Sequence, residues 1–484
     1  MPGVADLPVL TTLLPGFLGT KLPEWVRDRL QAGLGGVCLF GPNIDSIPQL
    51  QALTDAIDAA NPHALIAIDE EGGDVTRLFH QVGSPFPGNA VLGRIDDLNT
   101  TRNAAAQIGW ELRRAGVHVN FAPDADINSN PDNPVIGVRS FGISPERVAE
   151  HTAAWIAGLQ STGVAASAKH FPGHGDTSQD SHVSLPVVDR SLQELRQREL
   201  VPFAAAIDAG SRLVMTSHIL LPQLDPEHPA TLSYDILTGL LRGELGFSGV
   251  IVSDALDMAG ASAGRGIPDA AVQSLRAGCD LLCLGTANSD EQLSEIEHAV
   301  SSAVAEGFLG TARLNEAASR VLALADDLAA APPIPERDNE AWPGGEPELI
   351  NAFDIQPGAA AWRTRPSPRF TVVRLDTEVS PAIGDTRWGP FPDPQFVVTT
   401  EHSIPTLDPN EPVLVVGRDI HRHAVARAAV DQLRQHHTHV LVVDMGWPSD
   451  DRRYADVATF GASRLIGGAL LTYLASETPR PSPV

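Results

Sequence analysis

GVIVSDALDM, residues 249–258, is an apolar run that ends in an acid. Val250, Ile251 and Val252 are β-branched, a type that suits an extended backbone, and no polar side chain breaks the run before Ser253. A strand apolar on every residue has both faces covered, which is the habit of parallel sheets. Asp254 follows where the strand should stop. The pattern recurs in VLTTLLPG (9–16), GGVCLFG (35–41), ALIAIDEEGG (64–73), VHVNFAPDADI (117–127), GVAASAKHF (163–171), RLVMTSHILLP (212–222) and DLLCLGTAN (280–288). Between most of these runs lie longer amphipathic segments, such as Ser191 to Gly210 and Tyr234 to Gly246, that read as helices. Eight such units predict an α/β fold, a (β/α)8 TIM-like barrel, with an open doubly wound sheet as its rival. Asp69, Asp124, Asp126, Lys169, His170, His218 and Asp254 all stand where runs end. In a barrel those ends face the active-site mouth.

The barrel reading covers residues 1–330. APPIPERDNEAWPGGEPE (331–348) is rich in Pro, Gly and charge and reads as a linker. Beyond it, RFTVVRLD, PVLVVGRDI and HVLVVDMGW alternate with HAVARAAVDQLRQHH and ASRLIGGALLTYLA, which predicts a smaller α/β domain over 349–476. That domain carries no G-x-G-x-x-G fingerprint, so no nucleotide site is expected in it. The tail, 477–484, is expected to be disordered.

A hydrophobic content of 43% with 19% charged residues describes an ordinary globular chain with ample core material. The net charge of −26 argues against nucleic acid and anionic membrane as partners, because phosphates would be repelled. Cys38, Cys279 and Cys283 sit in or beside apolar runs and are expected to be buried, reduced thiols. The first residues, MPGVADLPVL, lack a basic n-region and an apolar h-region, and no run reaches the roughly 20 apolar residues of a membrane span. The expected compartment is the cytoplasm.

KHFPGHGDTSQDSH (169–182) breaks the barrel rhythm with a polar, His-rich loop. His170, His174 and His182 with Asp176 and Asp180 are ligand types for zinc, but their spacing matches no common structural site and Lys169 would oppose a dication. The catalytic reading needs a carboxylate and a proton donor across a pocket. Asp254 fits a covalent nucleophile at an anomeric carbon, and otherwise a helix N-cap. His182 fits the proton donor, because Asp180, two residues earlier, can fix its tautomer; otherwise it is a structural histidine. Asp69, Glu70 and Glu71 compete for such roles, and Asp69 could equally grip sugar hydroxyls.

KHFPGHGDTSQDSHVSLP, MTSHILLP, PATLSYDILTGLLRGELGFSGVIVSDALDM and VIGVRSFG together resemble the family 3 glycoside hydrolases. Within that family the chain is similar to the NagZ-type β-N-acetylglucosaminidases of peptidoglycan recycling, from about LLPGFLG to residue 330. TFGASRLIGGALLTYL is similar to the second domain of the longer members. The resemblance implies that Asp254 is the nucleophile and that His182 with Asp180 forms the acid/base dyad. It also implies that Asp69, Lys169 and His170 hold sugar hydroxyls, that Arg77 and Arg139 line the same subsite, and that His174 and Asp176 shape the loop. Two departures stand out. Many relatives read DQEGGRV where this chain has Asp69-Glu70-Glu71-Gly72-Gly73-Asp74-Val75, and SDDL where it has Ser253-Asp254-Ala255-Leu256.

The implied activity is a retaining exo-β-N-acetylglucosaminidase that releases GlcNAc from muropeptides or related glycosides and needs no cofactor or metal. One alternative is a phosphorylase: a neutral histidine base repels phosphate less than a glutamate would, so inorganic phosphate could replace water and yield GlcNAc 1-phosphate. The other is a non-catalytic sugar-binding protein, whose mark would be loss of the nucleophile or dyad; Asp254, His182 and Asp180 are all present.

Overall fold

The structure is a computed structural model. It describes residues 8–475 except 180, 182–184, 263, 333–341, 343, 364, 366–368, 378–379, 392 and 401–406, and the side chains of 361 and 363. Asp180 and His182, most of the 331–348 linker and the 477–484 tail therefore lie outside the described residues. The chain forms two compact units. One comprises Met1–Glu71, Leu98–Ile127 and Ile143–Asn339; the other comprises Gly72–Asp97, Asn128–Gly142 and Glu340–Val484.

The first unit is the barrel. Strands β2 (Gly36–Leu39), β3 (Leu65–Ile68), β4 (Val119–Asn120), β5 (Ala165–Phe171), β6 (Leu213–Thr216) and β7 (Val250–Val252) lie side by side in that order, all parallel. Strand β1 (Leu13–Leu14) pairs parallel with β8 (Leu282–Cys283). The two sheets join: Cys38 N–H donates to Pro15 O at 2.9 Å, and Ser253 N–H to Leu281 O at 3.0 Å. Leu14, Cys38, Leu65, Val119, Ala165, Leu213, Val250 and Cys283, from all eight strands, share one buried cluster. Helix Thr311–Ala329 adds Val321, Leu324, Ala325 and Leu328 to it. Each such leucine or valine contributes roughly 1.5–3 kcal/mol by leaving water. The apolar runs read as strands because both faces of each are covered here.

Some elements differ from the sequence reading. Ser191 to Gly210 is not one helix but two, Leu192–Gln197 and Leu200–Asp208, divided where Arg198 leaves helical geometry. Ser191 caps the first through a reciprocal pair of bonds with Glu194. The helix within Tyr234 to Gly246 runs Asp235–Glu244 and is a wide π-type helix, closed by Leu245 N–H on Leu240 O at 2.9 Å. The three cysteines are buried and unbridged.

The second unit is built on a six-stranded sheet ordered β11-β10-β12-β13-β14-β9. Its strands are β9 (Asp354–Ile355), β10 (Thr371–Leu375), β11 (Phe396–Val398), β12 (Val413–Gly417), β13 (Val440–Asp444) and β14 (Val457–Ala458), and only β9 runs antiparallel. Alternate residues of β12 face two different clusters: Leu414 and Val416 pack in one, Val413 and Val415 in the other. The first cluster also takes Ala90, Val91 and Val138, from the two earlier segments assigned to this unit. In the chain, segment 72–97 follows β3 and segment 128–142 follows β4. Arg77 Nη1 and Nη2 donate to Ile383 O (3.0 Å) and Ala382 O (2.7 Å), and Arg422 Nη1 donates to Asn133 O (2.9 Å). Among the described residues no helix is long and apolar enough to cross a membrane.

Candidate active site

The barrel's strand ends gather the polar residues. Asp69 follows β3, and Lys169 and His170 are part of β5, whose seven residues are all buried. Two strands of one parallel barrel thereby bring together residues 100 positions apart: Lys169 Nζ lies 2.7 Å from Asp69 Oδ1 and 2.7 Å from Glu71 Oε1. The ammonium is 3% exposed and so is Glu71, whereas Asp69 keeps 18% of its side chain open. Two carboxylates share one cation there, and two of its three N–H donors are oriented before any ligand arrives.

Beside this pair lies a second one. Asp126 follows β4 and is buried. Its Oδ2 accepts from His170 Nδ1 at 2.7 Å and from the His170 backbone N–H at 3.2 Å, and its Oδ1 accepts from the His174 N–H at 2.6 Å. Asp124 Oδ1 in turn accepts the Asp126 N–H at 3.0 Å. Burial pushes the Asp126 carboxyl up, but the His170 bond and the nearby imidazoles outweigh it and hold it below the usual range. Asp124, Asp126 and His170 also offer oxygen and nitrogen atoms within 4.8 Å of one another, the grouping of metal-ligand types found among the described residues. At 2.7 Å, however, the Asp126–His170 contact is already a hydrogen bond.

The start of the 169–182 loop is tied internally. His174 Nδ1 meets Thr177 Oγ1 at 2.8 Å and its Nε2 meets Ser181 Oγ at 3.1 Å. Burial lowers the His174 imidazole to about 4, so it stays neutral. Asp176 takes Arg190 (3.0 Å) and Arg198 (2.8 Å). Ser181 O accepts the Gly260 N–H at 3.1 Å.

Asp254 follows β7 and is half-buried. Its Oδ1 accepts the Ala255 N–H at 2.7 Å. The next helix, Ala259–Ser262, begins five residues later, so the N-cap reading does not hold. His218 beneath it is fully buried, with Nδ1 on Thr231 Oγ1 (2.8 Å) and Nε2 donating to Ala255 O (2.9 Å). One carboxylate oxygen of a half-buried side chain is thus held by backbone, which suits attack on a bound electrophile.

Arg77 and Arg139 belong to the second unit. Arg77 holds the two carbonyls named above, and Arg139, 5% exposed, donates Nη1 to Val135 O at 3.1 Å. Asp74, the acid in the first departure from the family motif, is buried in that same unit and accepts the Ala462 N–H at 2.7 Å. Burial raises its carboxyl while the Arg418 charge pulls it back. The departure thus reads as a local tie between segment 72–97 and the loop before helix Arg464–Ala475.

Comparison with known proteins converges on one group. The model of the glycosyl hydrolase family 3 N-terminal domain matches residues 19–324. A β-hexosaminidase of Stenotrophomonas maltophilia strain R551-3 is 39% identical over 315 residues, 62% of this chain and 92% of that protein. β-Hexosaminidase A of Pseudoalteromonas piscicida is 41% identical over 285 residues, 54% of this chain; the match spans only 48%, about half, of that relative's length. Among solved structures, a glycoside hydrolase family 3 β-N-acetylglucosaminidase from Paenibacillus sp. superposes with a TM-score of 0.83 at 29% identity, covering 99% of this chain and 97% of that one.

Proposed function

The chain belongs to glycosyl hydrolase family 3, and from that premise we propose that it is a retaining exo-β-N-acetylglucosaminidase. The observation that carries this is the barrel mouth itself. At the strand ends stand Asp254, half-buried and accepting the Ala255 N–H, and Asp69, Lys169 and His170, already oriented by their own partners, which supports reading the first as nucleophile and the others as the groups that hold sugar hydroxyls. A Paenibacillus relative named β-N-acetylglucosaminidase and a Stenotrophomonas relative named β-hexosaminidase support the same reading.

In the proposed reaction Asp254 attacks the anomeric carbon and forms a glycosyl ester while protonated His182 gives its proton to the leaving oxygen. Asp180 holds the imidazole. Neutral His182 then takes a proton from water, the water oxygen bonds to the anomeric carbon, and the ester to Asp254 breaks. Asp69, Lys169 and His170 hold the sugar, and Arg77 and Arg139 join them on the strength of the motif. The catalytic part is residues 1–330 and the smaller domain is 349–476. We place the activity in the cytoplasm, on muropeptides or similar β-GlcNAc glycosides; three buried, unbridged thiols suit a reducing compartment.

The test is turnover of 4-nitrophenyl β-GlcNAc by the purified protein with and without millimolar phosphate. Free GlcNAc at a phosphate-independent rate is expected, and Asp254→Ala should lower kcat by at least about 10⁴-fold. GlcNAc 1-phosphate at a rate that climbs with phosphate would make the protein a phosphorylase on the same residues. No product from the wild type would leave only sugar binding.

A further inference from the structure

Asp126 has no part in the bond changes above, yet among the described residues it accepts hydrogen bonds from His170 N–H, His170 Nδ1 and His174 N–H. Two come from backbone N–H groups, of His170 and His174, and one from the His170 ring. An ionised carboxylate can only accept, so the ring nitrogen facing it, Nδ1, must carry the proton. In the neutral ring Nε2 then holds the lone pair. The residue before it has the opposite polarity: Lys169 can only donate, with two N–H groups committed to Asp69 and Glu71.

We propose that Asp126 is a positioning residue that fixes His170 in its Nδ1–H tautomer, so that Nε2 accepts a hydrogen bond and the subsite demands a sugar hydroxyl that can donate. The proposal rests on the glycosidase reading given above. It adds a specificity rule: a group that only accepts, such as fluorine, fails at the hydroxyl His170 touches.

An asparagine at 126 should reverse the rule. Its amide must place Oδ1 toward one neighbour and Nδ2 toward the other. The His174 N–H is the closest donor, at 2.6 Å, while the His170 N–H stands at 3.2 Å. The least costly arrangement therefore keeps Oδ1 on His174 and turns Nδ2 to the imidazole. Nδ1 becomes the acceptor and Nε2 the donor, the same logic by which an Asp-to-Asn change installs the wrong tautomer in a serine-protease triad.

The experiment has two arms. Histidine-labelled ¹⁵N spectra of the wild-type chain, with the His170 signals assigned by their loss in His170→Gln, should show a protonated Nδ1 and an unprotonated Nε2. A signal pattern with the proton on Nε2 would overturn the proposal, whether or not any variant folds. The second arm compares 4-nitrophenyl β-GlcNAc with its analogues bearing fluorine at C3, C4 or C6. In the wild type one of these analogues should lose about 10²-fold in kcat/KM. Asp126→Asn should lose about 10²-fold on the parent substrate and shrink the penalty on that same analogue at least tenfold. A fluorine penalty unchanged between wild type and variant would reduce Asp126 to a purely structural residue. Absence of wild-type turnover on the parent would instead count against the glycosidase reading, leaving the tautomer arm to stand by itself.

Discussion

Acids sit at the carboxyl ends of parallel strands in both units, but in opposite company. In the barrel, Asp69 and Glu71 share the Lys169 ammonium at 2.7 Å, and Asp126 meets His170 at 2.7 Å. In the second unit, Asp444 ends β13 and, among the described residues, accepts backbone N–H groups: Asp419 (2.8 Å), Gly446 (2.8 Å) and Ile420 (3.1 Å). Its ionisable neighbour is another acid, Asp419, which pushes the carboxyl up to about 7 together with burial, the larger cause. Acidity at a strand edge does not by itself mark a site. A carboxylate held by a side-chain donor is oriented beside groups that can meet a ligand, whereas one sealed among amides ties loops together.

The comparison breaks most easily at Lys169. Lys169→Met keeps the length of the side chain but leaves Asp69 and the buried Glu71 without their cation. Removing one partner of a buried pair typically costs about 3–5 kcal/mol, and loss of the preset hydroxyl donor should lower kcat/KM about 10³-fold. Urea unfolding and turnover of 4-nitrophenyl β-GlcNAc measure the two separately. A variant as stable as the wild type would mean that Asp69 and Glu71 need no cation, and the distinction between the two units would fall.

The barrel was legible because its strands are covered on both faces, so apolar runs such as GVIVSDALDM and RLVMTSHILLP announce themselves without help from alternation. Strand-end acids were legible for the same reason: a charge is tolerated only where the buried run stops. What stayed hidden depends on distant partners. Arg77 meets carbonyls 305 and 306 residues away, and nothing near either end of that contact signals it. Assignment of segments 72–97 and 128–142 to the second unit is hidden likewise. Asp74 read only as a departure from a pattern; its partner, the Ala462 N–H, lies 388 residues on. Asp126 was visible as one strand-end acid among several. Its role as a hub needs the register of β4 and β5, which sequence does not supply. The split at Arg198 and the π-type helix reflect backbone adjustments that apolar periodicity averages out.

The two kinds of buried group should also answer pH in opposite directions. His174, lowered from 6.5 to about 4, stays neutral in the folded barrel while the unfolded chain takes up a proton. Its contribution is full above pH 6.5 and is lost as pH falls through about 4, with an upper size of roughly 3 kcal/mol. Urea unfolding of wild type and His174→Gln at several pH values tests this: the wild-type advantage should shrink steadily between pH 6.5 and 4. A difference that does not vary with pH would mean that the imidazole titrates alike in both states.

Asp444 supplies the reverse limb. Its carboxyl rises from 3.8 to about 7 on folding, so the folded unit keeps a proton that the unfolded chain releases. That contribution is full below pH 3.8 and is lost as pH climbs through about 7. Asp444→Asn cannot titrate and gives up one acceptor, at a cost of about 1–2 kcal/mol. The variant should therefore be less stable than the wild type near pH 4 and should recover, relative to it, as pH rises toward 7. Turnover should be unchanged throughout, because no step proposed for the barrel uses this acid. A loss of kcat/KM in Asp444→Asn comparable to that in Lys169→Met would show that this acid of the second unit takes part in catalysis, and that the contrast between a working strand end and a tying one is drawn in the wrong place.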